Sequence, residues 1–304
     1  MGVDRSEIIV LGGSSGEHIA IGISRILNLE LGSIEVKKFP DGETYIRILD
    51  DVRDKVVIYV NSLQKGPNDL IIETLYTIDT LYDLGAKEVH LVVPYMAYAR
   101  QDSRFNPGEA LSIASLAKLM RFVKPKAIYT VDMHLHRIRD PESLFGVKFF
   151  NLTAVRELAR YVASHHNVRD YVIVGPDEES EQWAKIMADE LGLNYTILEK
   201  RRISAEEVII EARDKVVSGK SVVIVDDIIS TGGTMVEAFK ALKNLGAKDI
   251  ILTCVHPLLV GNALNKLLRL QPKDLACTDT VLSPISKVKV APVIASKLKD
   301  VLKL

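Results

Sequence analysis

Long apolar runs, cysteine and a dominant charge are what this chain of 304 residues lacks. No apolar run approaches the roughly 18 residues that a membrane-spanning helix needs, which excludes that class of function. Only two cysteines occur, Cys254 and Cys277. That excludes a disulfide-built scaffold and suits a reducing compartment. Lysine and arginine number 39 against 40 acids, a net charge of −1. No basic surplus argues for nucleic acid or an anionic membrane as a partner. The opening residues, Met1 to Glu7, have no apolar core of the kind a secretion signal carries, so a cytoplasmic protein is expected. Gly2 and Ser6 fit a loose myristoylation pattern, and Asn151-Leu152-Thr153 and Asn194-Tyr195-Thr196 fit the glycosylation triplet. Patterns this short are met by chance and are read as accidental.

What is present is an ordinary globular composition, 47% hydrophobic and 26% charged, at a length that suggests two domains. The chain also repeats itself. Lys55 to Val60 (K-V-V-I-Y-V) precedes a helical stretch that ends in Leu84-Gly85-Ala86-Lys87, and Val89 to Pro94 follows as a strand. Lys220 to Val225 precedes a second helix ending in Leu245-Gly246-Ala247-Lys248, and Ile250 to Pro257 follows. Upstream, Ile8 to Leu11 and Val172 to Val174 read as short strands, each entering a loop and then a helix. Strands alternating with helices predict parallel sheets covered on both faces. The expected fold is α/β, with two tandem domains and a boundary near 150–153. The last residues, Val288 to Leu304, read as a short strand and an amphipathic helix that could pack on either domain.

The halves differ where chemistry would sit. Ser221 to Met235 reads S-V-V-I-V-D-D-I-I-S-T-G-G-T-M, a strand leading into Asp226 and Asp227, then a small loop, then a helix. Loop amides, hydroxyls and a helix N-terminus attract phosphate. Glycines let the backbone approach it. Two carboxylates can accept hydrogen bonds from vicinal ribose hydroxyls. The first half has Asn61-Ser62 in place of the acids and no such loop. Only the second half therefore reads as a ribose-phosphate site.

Together with Phe39-Pro40-Asp41-Gly42-Glu43, Tyr98-Ala99-Arg100-Gln101-Asp102, Asp132-Met133-His134, Gly175-Pro176-Asp177 and Lys200-Arg201-Arg202, that stretch resembles the ribose-phosphate pyrophosphokinase family over nearly the whole chain. The resemblance implies two phosphoribosyltransferase-type domains, 1–150 and 151–304, each with a mainly parallel central sheet flanked by helices. It implies transfer of the β,γ-pyrophosphoryl group of ATP to the C1 hydroxyl of ribose 5-phosphate, giving phosphoribosyl pyrophosphate and AMP. Mg²⁺ would be required and a homo-oligomer, dimer to hexamer, would be formed. The alternatives are a phosphoribosyltransferase or a non-catalytic regulatory homologue.

By the same resemblance, Asp226 and Asp227 hold the ribose hydroxyls, and Ser230, Thr231, Gly232, Gly233 and Thr234 cradle the 5-phosphate. Phe39 stacks on adenine, with Asp41 and Glu43 at the base. Taken alone, P-D-G is only a turn signal. Arg100, Gln101 and Asp102 contact ATP, an arginine fork suiting phosphate. His134 and Asp177 fall to the metal, although Mg²⁺ prefers oxygen donors, which leaves His134 open to phosphate oxygens or a metal-bound water. His136 is read as turned away from His134, a bystander. Lys200 and Arg202 are the catalytic cations; an isolated K-R-R would be a solvated basic turn. The chain departs from the family at Glu178-Glu179-Ser180-Glu181, where glycines are usual. These acids read as helix N-terminal residues favoured by the dipole, or as carboxylates near a polyanion site.

Overall fold

In the computed structural model, residues 3–202, 208–213 and 216–304 are described, with side chains from 200 to 210 left aside. The chain divides into two units. One comprises Met1–Thr153 with Val290–Leu304, and the other comprises Ala154–Lys289.

The first unit runs β1 (Ile8–Gly12), α1 (Glu17–Leu27), β2 (Glu30–Leu31), β3 (Ile34–Lys38), β4 (Thr44–Ile48), β5 (Val56–Val60), α2 (Pro67–Asp83), β6 (Glu88–Val92), α3 (Ser112–Val123), β7 (Ala127–Val131), α4 (Pro141–Phe145) and β8 (Lys148–Leu152). Its six-stranded sheet has the order β2-β1-β5-β6-β7-β8, parallel throughout. Strands β3 and β4 form a separate antiparallel hairpin. The unbroken apolar run of β5 is buried at every position, as a strand covered on both faces requires.

The second unit runs α5 (Val155–His165), β9 (Tyr171–Gly175), α6 (Glu181–Leu191), β10 (Tyr195–Arg202), β11 (Val208–Ala212), β12 (Ser221–Ile229), α7 (Gly233–Asn244), β13 (Ile250–Pro257), α8 (Ala263–Arg269), β14 (Asp274–Thr278) and β15 (Ser286–Val288). Its sheet has the order β11-β10-β9-β12-β13-β14-β15. All neighbours are parallel except β11, which runs against β10. Helix α9 (Ala291–Leu302) returns to the first unit.

The parallel core of each unit follows one plan: β2-β1-β5-β6-β7-β8 in the first and β10-β9-β12-β13-β14-β15 in the second. The L-G-A-K segments obey it to the hydrogen bond. Gly85 and Gly246 sit at φ 90° and 86°. Ala86 and Ala247 N–H donate to Leu81 and Leu242 carbonyls, both at 2.9 Å, closing a Schellman stop. Lys87 and Lys248 N–H then donate to Lys55 and Lys220, both at 2.8 Å. The same helix end is locked to the same strand start in both halves.

Two expectations change here. Asp226 and Asp227 lie inside β12, which runs on to Ile229. Lys200, Arg201 and Arg202 are not a turn: they are the last residues of β10, paired in register with Ile210, Ile209 and Val208.

Helix α9 packs on α1, where a side chain at Gly22 would begin 2.6 Å from the Ala291 methyl. Gly22→Val is therefore expected to lower stability by about 1–3 kcal/mol, seen as a lower urea midpoint. An unchanged midpoint would show that α9 does not hold this position.

Candidate active site

The second unit gathers acids and an anion-seeking helix end at one edge of its sheet. Asp226 and Asp227 are 8% and 4% exposed. Burial, followed by the charges of Asp227 and Asp177, pushes the Asp226 carboxyl well above its ordinary range. Asp227 N–H donates to Asp226 Oδ1 at 3.0 Å. Cys254, opposite Asp226 on β13, donates its thiol to the Asp227 carbonyl at 3.3 Å. Hydroxyl donors or a cation are the groups that such a buried acid pair can take.

Beyond β12, Val260 N–H donates to the Ser230 carbonyl at 3.0 Å and braces the loop. Gly232, at φ 77°, takes the left-handed conformation from which α7 starts. Among the described residues no side chain caps α7, and its first turn holds no acid. Its amides therefore face outward beside Ser230, Thr231 and Thr234, where an anion is favoured. A side chain at Gly233 would meet almost nothing, its nearest neighbour being Thr231 Oγ1 at 3.9 Å, so the approach to these amides is open.

Asp177 follows β9, which pairs directly with β12. Its Oδ1 accepts Ser180 N–H at 3.0 Å, and its own N–H donates to Ser180 Oγ at 3.2 Å, a capping box at the entry to α6. The Glu178–Glu181 run is thus a helix entrance, as one of the two sequence readings had it. Asp177, Asp226 and Asp227 offer hard oxygen donors of the type Mg²⁺ takes, so the residues fit that ion.

In the first unit, Arg100, Gln101 and Asp102 follow β6, while His134 follows β7. Asp102 joins the two segments. Its buried carboxylate accepts Arg137 N–H at 3.2 Å and Arg137 Nη1 at 3.1 Å. That gives it a bracing partner not expected from the sequence. Tyr98 and Asp132 hold positive φ, 63° and 37°, backbone strain that a bulky residue seldom adopts. Asp132 N–H donates to the Leu152 carbonyl at 2.7 Å, and Met133 N–H donates to Asn151 Oδ1 at 2.9 Å. Asn151, which in the sequence stands out only as part of a chance triplet, thus anchors the residue before His134.

His136 does not turn away. Its ring lies 4.0 Å from that of His134, edge to face. The segment has left the strand, and even in a strand residues two apart share a face. Glu109 lies in the loop that leads to α3. Its carboxylate accepts Phe105 and Asn106 N–H at 2.8 and 3.1 Å, closing its own loop three residues before α3. Phe39, Asp41 and Glu43 occupy the tip of the β3–β4 hairpin. Gly42 N–H donates to the Phe39 carbonyl there, and Phe39, 46% exposed, meets Tyr45 edge-on at 5.7 Å. Lys200 and Arg202 lie on the β10 backbone, but their side chains are outside the described residues.

In the first unit an internal acid lies beside the end of β5. Glu73 Oε1 accepts Ser14 N–H at 2.8 Å, Asn61 Nδ2 at 3.2 Å and Tyr59 Oη at 3.3 Å. Counted back from Gly85 and Gly246, Glu73 and Thr234 stand at the same position. Both helix starts lack a side-chain cap, but α2 has Asp69 in its first turn and α7 has no acid there. The signal for Glu73 was an acid on the apolar stripe Leu70, Thr74, Thr77, Leu81 of α2.

A raised carboxyl in the folded state takes up protons that the unfolded chain does not. Stability of the free protein therefore falls as pH rises from about 3.8 through the raised value of Asp226. Asp226→Asn, which keeps the acceptor for Asp227 N–H, should stabilise the free protein at pH 8 by about 1–3 kcal/mol. Denaturant melts at pH 5 and pH 8 measure it, and a variant weaker than the parent at pH 8 would refute it.

Comparison with known proteins gives a consistent picture. Residues 8–123 match the model for the N-terminal domain of ribose phosphate pyrophosphokinase, and residues 151–291 match the phosphoribosyl transferase domain. The ribose-phosphate pyrophosphokinase of Methanopyrus kandleri is 39% identical over 295 residues, covering 96% of this chain and 99% of that protein. Ribose-phosphate pyrophosphokinase 1 of Archaeoglobus fulgidus is 38% identical over 291 residues, covering 96% and 99%. The crystal structure of phosphoribosylpyrophosphate synthetase from Mycobacterium smegmatis superposes with a TM-score of 0.85 at 26% identity, covering 98% of this chain and 99% of that one.

Proposed function

The chain belongs to the ribose-phosphate pyrophosphokinase family, and from that premise we propose that it joins ATP and ribose 5-phosphate in the following way. The 5-phosphate rests on the amides and hydroxyls of Ser230, Thr231, Gly232, Gly233 and Thr234. Asp226 and Asp227 accept hydrogen bonds from the ribose hydroxyls. The observation that carries this reading is the coincidence, at one strand end, of a buried acid pair with an uncapped helix start. Sugar hydroxyls relieve the first and phosphate the second.

Arg100 and Gln101 bind the ATP phosphates, and Asp102 holds their loop to the His134 segment through Arg137. Phe39 supplies an apolar face for adenine, with Asp41 and Glu43 at its edge. The ribose C1 oxygen attacks Pβ in line. The C1–O–P bond forms as the bond between the α,β-bridging oxygen and Pβ breaks, and AMP leaves. Lys200 and Arg202 offset the charge developing on the transferring group. Asp177, with Asp226 and Asp227, would hold Mg²⁺, which neutralises phosphate charge when bound. His134 serves the phosphate oxygens or a metal-bound water. No protein nucleophile is needed, because positioning and charge carry the rate. The enzyme acts in the cytoplasm as a homo-oligomer, dimer to hexamer.

Incubation with ATP, ribose 5-phosphate and Mg²⁺ should yield AMP. Lys200→Ala should lower kcat about 100-fold while ribose 5-phosphate binding stays within about twofold by calorimetry. ADP as the sole nucleotide product, or no turnover by the parent chain, would overturn the assignment.

A further inference from the structure

Strand β10 carries Lys200 and Arg202 away from the sheet, and beyond Ile197 its one lateral partner among the described residues is β11. Such a two-stranded extension is weak by itself. Its register also sets Glu199 directly opposite Glu211, a like-charge cross-strand pair that opposes pairing.

Arg213, the first residue after β11, answers both problems. Its N–H donates to the Ile197 carbonyl at 2.9 Å. Its Nε donates to Glu199 Oε1 at 2.6 Å, and its Nη1 donates to Glu181 Oε1 at 2.8 Å. Glu181 opens α6, directly after the Asp177–Ser180 capping box. One guanidinium therefore ties the root of the β10–β11 extension to the helix entrance that orients Asp177, and Asp177 is the acid whose charge Asp226 feels. Glu199 is the residue immediately before Lys200.

We propose that Arg213, clamped between Glu181 and Glu199, is a positioning residue that aims the strand pair bearing Lys200 and Arg202 at the Asp177–Asp226 edge of the sheet. This rests on the reading of Lys200 and Arg202 as the transfer cations. The clamp also accounts for the acid that ends the Glu178–Glu181 departure, since Glu181 is its fixed end. Its contribution is not to stability. All three side chains are about two-fifths exposed, and ion pairs at that exposure contribute little to folding. What a planar fork between two carboxylates supplies is direction.

Arg213→Ala should leave the thermal midpoint within about 2 °C. It should lower kcat about tenfold, with the KM for ribose 5-phosphate within about twofold. Arg213→Lys, which keeps the charge but not the fork, should recover only part of the loss. In a background with both Lys200→Ala and Arg202→Ala the Arg213→Ala loss should vanish, since a clamp acting through those two cations has nothing left to aim. Amide exchange at Leu198, Glu199 and Ala212 should quicken in Arg213→Ala, while the β12–β13 ladder stays unchanged. Unaltered exchange at those amides would overturn the clamp, and faster exchange with parental kcat would overturn its positioning role. A Lys200→Ala enzyme with parental turnover would instead overturn the reading of the strand pair as catalytic.

Discussion

Two adjacent carboxylates inside a buried strand set the terms for the second half of this molecule. A carboxylate in that position loses several kcal/mol of hydration, and a like charge beside it adds to the penalty. Strand β12 is anchored by β9 up to Ile224 and by β13 on through Asp226 to Ile229, which fixes the backbone that carries both acids. The surroundings then follow. The Asp227 carbonyl takes a thiol donor from Cys254, the capping box keeps the third acid at the same edge, and the helix start beyond the loop is left uncapped. Each feature makes sense for a pocket completed by a ligand rich in hydroxyls and phosphate.

The first half displays the same plan with its chemistry removed. Its strand β5 is followed by Asn61 and Ser62, both fully buried, and Asn61 donates to Glu73 and Thr74 at 3.2 and 3.1 Å. Glu73 also accepts Ser14 N–H, so the end of β5 and the loop after β1 share one buried acceptor. The two sheets thus share one strand order, with an acid pair near the end of β12 in one and a buried polar cluster around Asn61 after β5 in the other.

Much of this was legible in the residues. The apolar runs at β5 and β12, the glycine-terminated helices and the T-G-G-T loop point to the parallel plan and the acceptor site, because backbone requirements leave few alternatives for such segments. Three things were not legible. Taken alone, the K-R-R segment reads as a solvated turn, because its strand character comes from pairing with β11, six to ten positions further on. His136 reads as a bystander if two-residue spacing separates side chains, whereas the chain leaves the strand and brings the two rings together. The partners of Asp102, Glu73 and Arg213 come from distant sequence positions, and local pattern carries no information about pairs formed only by tertiary packing.

The asymmetry between the halves is the central claim, and binding stoichiometry tests it most directly. Calorimetric titration of the chain with ribose 5-phosphate in the presence of Mg²⁺ should give one site per chain, and Asp226→Asn combined with Asp227→Asn should abolish it. Two sites per chain, or a single site that survives loss of both acids, would contradict the account.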